Sequence, residues 1–460
     1  MKKKVMKIVG LALALVMLAG VAACGDKEVK TESGTTESGT TESGPIEITY
    51  AMWGDADELA TLNRVIEKYH SEQDRIRVKP LQIDRGEYEA WMTTQAIAQT
   101  LPDSAIMAEG QVMSWAEQGM LLPAGDMFAG FEEAPLDTLA FRFGGEVVGY
   151  SVANEILLNF YNRDMFAAAG IDVPPARLSN AWSWDQFIDV AKTMTLDSSG
   201  RNAHDAGFDR NNIVQYGVTF EPAPWMLEAF VLANNGGFYA PGNPNSVIID
   251  QPAAIEAIQR IADLHLVHGV SPQWGSTTGT IETHLMQSTA MYINGQWSVG
   301  VWLGGAKQNN GLNYGIGVLP SMARNATIGT GGVNVVFKTS SNQDAAKEWL
   351  AWYAQLENSW NLIEAGIWMP IFPSWYTDEA KMRSWADNPN FPPFEEYKTA
   401  VIEYAMSPAA HPTAWYWVNN TDQFNDILST ALAPVWSGQS TAADAINGAM
   451  AALSAANRGN

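Results

Sequence analysis

Tryptophan and carboxylate are the side chains with chemistry to offer here: 18 tryptophans and 50 acidic residues stand among 460, against 27 lysines and arginines. Several tryptophans are surrounded by turn residues and not by helical spacing. Trp225 closes Glu221-Pro222-Ala223-Pro224-Trp225, Trp297 follows Asn294-Gly295-Gln296, and Trp368 sits in Gly366-Ile367-Trp368-Met369-Pro370. Trp415 and Trp417 occupy a loop before the final helices. A flat ring with an electron-rich face covers the apolar C–H face of a sugar, and neighbouring carboxylates or amides exchange hydrogen bonds with its hydroxyls. The same rings can box a cation, and the commonest fate of an indole is to close a hydrophobic core. By spacing, Trp349 and Trp352 belong on the helix after Asn342 and Trp184 staples a helix start, so these three are read as packing.

Among the acids, Asp55, Asp84 and Glu109 each follow a predicted strand, where a solvated loop acid is the ordinary alternative. Gly329 to Asn334, reading GTGGVN, has neither the lysine and hydroxyl pair of a phosphate loop nor a helix directly after it. Close backbone approach is expected there, with Asn334 free to donate to a hydroxyl, and no cofactor is expected. Asp197, Ser199, Asp205 and Asp209 place hard oxygens in one polar loop that would suit calcium, but the spacing is not that of an EF-hand, so a solvated loop whose aspartates cap turns is expected and no metal. His265 and His268 stand three apart at a helix end without a third zinc ligand nearby.

The elements that must position these groups alternate strand and helix. Ile46 to Trp53 begins as an alternating strand, Glu58 to His70 has helical spacing through Leu59, Leu62, Ile66 and Tyr69, and Ile76 to Ile83 is again a strand. That order predicts a crossover in a parallel sheet. A helix over Gly86 to Gln99 and a short strand from Ser104 follow. Ser183 with Gln186 forms a capping box, and Pro252 opens a helix that Gly269 closes. The fold class is α/β, and the length suits two lobes better than one core.

The ends carry a different signal. Four lysines within Met1 to Lys7 and an apolar run from Ile8 to Ala19 predict a signal peptide over 1–23, too short to span a bilayer. Val21-Ala22-Ala23-Cys24 has the form of a lipobox, so Cys24, the only cysteine, is expected to carry diacylglycerol at the outer face of the cell membrane. Residues 24–44 repeat TESGT almost without apolar side chains and are expected to be a tether. A chain processed at Cys24 carries a net charge of about −27, which excludes nucleic acid and disfavours anionic headgroups.

Beyond the individual signals, the sequence resembles the extracellular solute-binding proteins of family 1, to which maltose-binding protein belongs. The carriers are Trp53-Gly54, Leu101-Pro102-Asp103, Gln118-Gly119-Met120-Leu121-Leu122-Pro123 and Tyr161-Asn162-Arg163-Asp164-Met165-Phe166. Asn235-Gly236-Gly237, Gly295-Gln296-Trp297 and Gly317-Val318-Leu319-Pro320 continue the series in order. The resemblance implies a two-lobe, type II periplasmic-binding-protein-like fold with discontinuous lobes, 46–154 with 319–372 and 155–318 with 373–460. The hinge crossings would lie near Asn154, Leu319 and Phe372. It implies a non-catalytic, monomeric receptor that delivers a carbohydrate, expected to be an oligosaccharide, to the permease subunits of an ABC importer. Trp53, Asp55, Asp84 and Glu109 would face the cleft. Trp225 and Trp297 match positions where relatives stack a sugar, and Glu155 matches a sugar-contacting glutamate, an ion pair with Arg163 being its plainer alternative. Where the maltodextrin pattern carries Trp, Asp and Arg around the third loop, this chain reads Met107-Ala108-Glu109-Gly110-Gln111, which sets it apart from maltose binders. A polyamine, peptide or other polar solute fits the same receptor role. A surface-anchored glycosidase or polysaccharide lyase is the reading of another class.

Overall fold

The computed structural model describes residues 44–54, 56–274 and 287–457. The expected signal peptide, Cys24 and the repeat before Gly44 lie outside the described residues, as does Asp55. The compact unit is Pro45–Asn460. Among the described residues no helix is long and apolar enough to cross a membrane.

Two sheets organise this unit. In the first, β1 (Ile46–Trp53) pairs in parallel with β2 (Ile76–Ile83) on one edge and β3 (Ser104–Met107) on the other. The intervening helix Ala56–Glu72 presents Leu62, Val65, Ile66 and Tyr69, spaced as one helical face, to Ile48 and Tyr50 of β1. The helical return between parallel strands is thus set by the apolar pattern of the sequence. β4 (Ala140–Phe143), β5 (Glu146–Ser151) and β14 (Val333–Val336) complete the order β2-β1-β3-β14-β5-β4, with β14 antiparallel to both β3 and β5.

The second sheet is built on β6 (Glu155–Asn162), every residue of which is buried. One edge of β6 pairs with β11 (Thr289–Gly295), and the other receives β12 (Tyr314–Gly317) and β13 (Thr327–Thr330). β8 (Ile213–Thr219) lies parallel to β11, with β7 (Leu196–Asp197) and β15 (Ala410–Pro412) at the two ends of the sheet. β9 (Tyr239–Ala240) and β10 (Asn243–Val247) form a separate hairpin. The helix Trp184–Met194 starts with the expected capping box: Ser183 Oγ accepts from Gln186 N at 3.2 Å and Gln186 Oε1 accepts from Ser183 N at 2.9 Å.

The chain moves from the first sheet to the second through Val152-Ala153-Asn154, between β5 and β6. The chain returns to the first sheet at Gly331-Gly332, since Thr327–Thr330 runs back along β6 before β14 joins the first sheet. Ile371 and Phe372 pack with the first sheet's core, and Tyr376 and Met382 with the core around β6 and β12.

Candidate functional site

A cavity of about 550 Å³ opens between the two sheets. The first sheet contributes Tyr50, Met52 and Trp53 of β1, Asp84 and Arg85 beyond the end of β2, and Ile106 and Glu109 at the end of β3. From the second come Glu155 at the start of β6, Trp225 after β8, Trp297 and Trp302 after β11, and Thr330 of β13, with Trp368 and Trp415 from later segments. The carboxyl ends of β1, β2, β3, β8 and β11 therefore feed one space, the place where open α/β sheets leave loops free to hold ligands.

Six tryptophans line the cavity, and all six are half-buried, so each ring is anchored on one side and open on another. Trp225 lies at the centre of a row. Its ring centroid is 5.8 Å from that of Trp297 at an interplanar angle of 40°, and 6.3 Å from that of Trp415 at 35°. Trp225 is the second residue of the helix Pro224–Ala233, whose Pro224 at the first turn fixes the entry of the chain. Trp297 folds back over Gly295, where an added Cβ would fall 2.0 Å from the ring. Opposite, Trp53 meets Tyr88 edge-on at 5.4 Å, and Trp368 packs at 5.5 Å from Tyr353.

Carboxylates stand between the rings. Glu109 opens the helix Glu109–Glu117 and reaches across to the second sheet, where its Oε1 accepts from Thr330 Oγ1 and, at 2.7 Å, from Gly331 N. Burial pushes its pKa up, and those hydrogen bonds only partly offset the effect. Glu155 is 7% exposed. Burial and then repulsion from Glu109 hold its pKa well above the usual carboxylate range, against a lowering influence of Arg85. Asp422, near Glu109 but not in the cavity lining, is pushed up to about 7 by burial and by Glu89, Asp426 and Glu109. Arg85 is paired with Glu58 at 3.1 Å and lies over Trp53 at 6.0 Å. Asp84 lines the cavity and accepts from Gly86 N at 2.9 Å.

The cavity thus gathers Trp53, Asp84, Glu109, Glu155, Trp225, Trp297, Trp368 and Trp415 of the residues singled out by sequence. Two others lie elsewhere. Trp417 packs edge-on against Tyr239 at 6.0 Å, within the apolar core under the C-terminal helices. Asn334 is buried in the first sheet, its Oδ1 accepting from Tyr50 Oη at 2.9 Å, and it does not line this cavity. Arg163 does not pair with Glu155; its partner is Glu396.

The polar loop around Asp197 is held by its own hydrogen bonds. Asp197 is buried, and its carboxylate accepts from Ser199 N at 2.8 Å, Arg201 N and Asp209 N at 3.0 Å, and Arg201 Nε at 2.9 Å. Burial would raise its pKa, but these donors outweigh it and hold the carboxyl at about 2. Asp205 accepts from Asn202 N and Asp209 from Asn212 Nδ2, so the loop's oxygens close the loop on itself. Among the described residues no group of three or more His, Cys, Asp or Glu could hold a metal ion.

Sequence reasoning missed Trp302 and Arg85, whereas Thr330 to Gly332, within the stretch where close backbone approach was expected, do line the cavity. It missed Glu228 as well, a carboxyl 7% exposed within the helix that carries Trp225. Both its oxygens accept from Ala414 N, at 3.1 and 3.2 Å, which fastens the turn bearing Trp415 to the base of Trp225. Burial raises its pKa from 4.5 to about 8. The folded chain then keeps a proton that the unfolded chain releases near pH 4.5, so this contribution to stability is complete below that pH and is lost as pH rises toward 8. Urea unfolding at pH 5 and pH 8 is expected to give a lower midpoint at pH 8, and Glu228→Gln is expected to shrink that difference. An undiminished difference in the variant would mean that Glu228 does not titrate in this window.

Comparison with known proteins places this arrangement. Residues 64–393 match the family of bacterial extracellular solute-binding proteins. A Brucella abortus (strain 2308) chain that is named, without further detail, a binding protein is 24% identical over 374 residues, covering 76% of this chain and 78% of its own. Among solved structures, an ABC substrate-binding protein of Listeria monocytogenes in complex with cycloalternan superposes with a TM-score of 0.73 at 17% identity, over 89% of this chain and 98% of the other. A cyclic alpha-maltosyl-1,6-maltose binding protein from Arthrobacter globiformis gives 0.69 at 20% identity, over 90% of this chain and 100% of its own. The fold is that of the two-lobe type II binding proteins.

Proposed function

The chain belongs to the bacterial extracellular solute-binding protein family, and from that premise we propose that its solute is a carbohydrate, an oligosaccharide in particular, held between the two sheets and delivered to the permease of an ABC importer. The observation that carries this reading is the row Trp297-Trp225-Trp415 facing Trp53 and Trp368 across a cavity that also holds Glu109 and Glu155. Rings on both walls suit a chain of more than one sugar residue, and the volume lies within the roughly 300–1,000 Å³ usual for small-molecule sites. The relatives in complex with cycloalternan and named for cyclic alpha-maltosyl-1,6-maltose support a carbohydrate.

On this reading the lobes follow the sheets, the first running to Asn154 and resuming at Gly332, the second running from Glu155 to Gly331 and resuming after Phe372. Rotation about these crossings encloses the solute, and the enclosed form is the one that docks on the permease. Cys24 anchors the receptor to the outer face of the membrane through diacylglycerol and the TESGT repeat is its tether. The receptor acts as a monomer and catalyses nothing.

A thermal-shift screen of the purified protein against mono- and oligosaccharides tests the proposal. A sugar at a hundred times its Kd is expected to stabilise the fold by about 2.7 kcal/mol, without loss of glycan from the wells. Stabilisation by peptides or spermidine alone would replace the solute class, and breakdown of the glycan would replace receptor with enzyme.

A further inference from the structure

Glu155 is not accounted for by hydrogen bonding within the protein. It lines the cavity at 7% exposure, and among the described residues its carboxylate enters no hydrogen bond or ion pair. Resting on the carbohydrate reading of this cavity, we infer that the bound sugar carries a protonated amine, which Glu155 and Glu109 receive together.

The charge balance of the cavity points this way. Its described lining holds four carboxylates, Glu58, Asp84, Glu109 and Glu155, and a single basic side chain, Arg85. Arg85 is committed to Glu58 at 3.1 Å, and its side chain is 62% exposed, so water screens most of what it offers to Glu155. Glu109 spends Oε1 on Thr330 and Gly331 and still repels Glu155. A neutral sugar leaves that repulsion in place. An ammonium group lets both ionise and accept charge-assisted hydrogen bonds, the stronger kind. The open tryptophan faces attract the same cation, and a chain of net charge −23 draws it in from solution. Carboxylates beside aromatic faces also serve neutral hydroxyls, and it is the excess of acid over base in the lining, with Glu155 unpartnered, that favours a cationic sugar.

Calorimetric titration of the purified protein with matched pairs tests the inference: glucose and glucosamine, galactose and galactosamine, chitotriose and its fully deacetylated counterpart, with spermidine as an amine without a sugar. In at least one pair the amine form is expected to bind about tenfold or more tightly. Glu155→Gln, which keeps the shape and removes the charge, is expected to erase that preference, with thermal unfolding confirming that the variant is folded. Neutral members binding as well as or better than their amine partners would overturn the inference and leave the carbohydrate receptor standing. A preference that survives in Glu155→Gln would overturn the role of Glu155. Binding of spermidine with no sugar, or of nothing in the set, would overturn both readings together.

Discussion

Trp225→Ala is expected to weaken carbohydrate binding by about a hundredfold, close to 2.7 kcal/mol, while the protein remains folded. Trp225 is the middle ring of the row, so its loss opens a gap between Trp297 and Trp415 as well as removing its own stacking surface. Its half-buried position means that part of the indole also packs on the apolar core beneath, and a modest loss of stability accompanies the change. Calorimetry on the variant and the wild type, with far-UV circular dichroism as the check on folding, separates the two effects. An affinity within about threefold of wild type would show that sugar rings do not stack on this row.

Gly331→Ala is expected to cost stability by about 2–4 kcal/mol and to impair binding at the same time. Gly331 has φ +151°, and an added Cβ would fall 2.3 Å from Ser151 Oγ and 2.8 Å from the carbonyl oxygen of Ala153. The hydroxyl can rotate away, but the carbonyl belongs to the other passage between the sheets and cannot move independently. The two crossings therefore touch each other at a place where only glycine fits. Because Gly331 N also donates to Glu109, any shift of this backbone carries into the cavity. Denaturant unfolding should register the loss, and a variant as stable as wild type would show that the crossings tolerate being pushed apart.

Local rules made much of the scaffold legible. The limits of β1 coincide with the alternating run Ile46 to Trp53, and Ser183 and Gln186 make both bonds of their capping box. Punctuation by proline and glycine marked Trp225, Trp297 and Trp368 as residues outside ordinary helix faces, and all three line the cavity. What sequence left hidden depended on distant pairing. Thr327–Thr330 pairs with β6 at Glu155 and Ile156, which lie far back along the chain, and no local pattern announces that pairing. Trp302 follows Trp297 within the helical turn Val299–Leu303, where an indole looks like packing, and only the approach of the other sheet turns it into a wall. Trp417 shows the converse, since a loop tryptophan two residues from a lining one points into the core. Asp197 looked like a metal ligand because its neighbours are polar, and those neighbours spend their donors on it.

If one carbohydrate binds between the sheets against the tryptophans, tryptophan fluorescence during titration with the stabilising sugar reads this most directly. A saturable spectral change with one site per chain is expected, lost or strongly reduced in Trp225→Ala. A sugar that stabilises the protein yet leaves the emission of wild type and variant alike unchanged would place its site elsewhere and contradict the account.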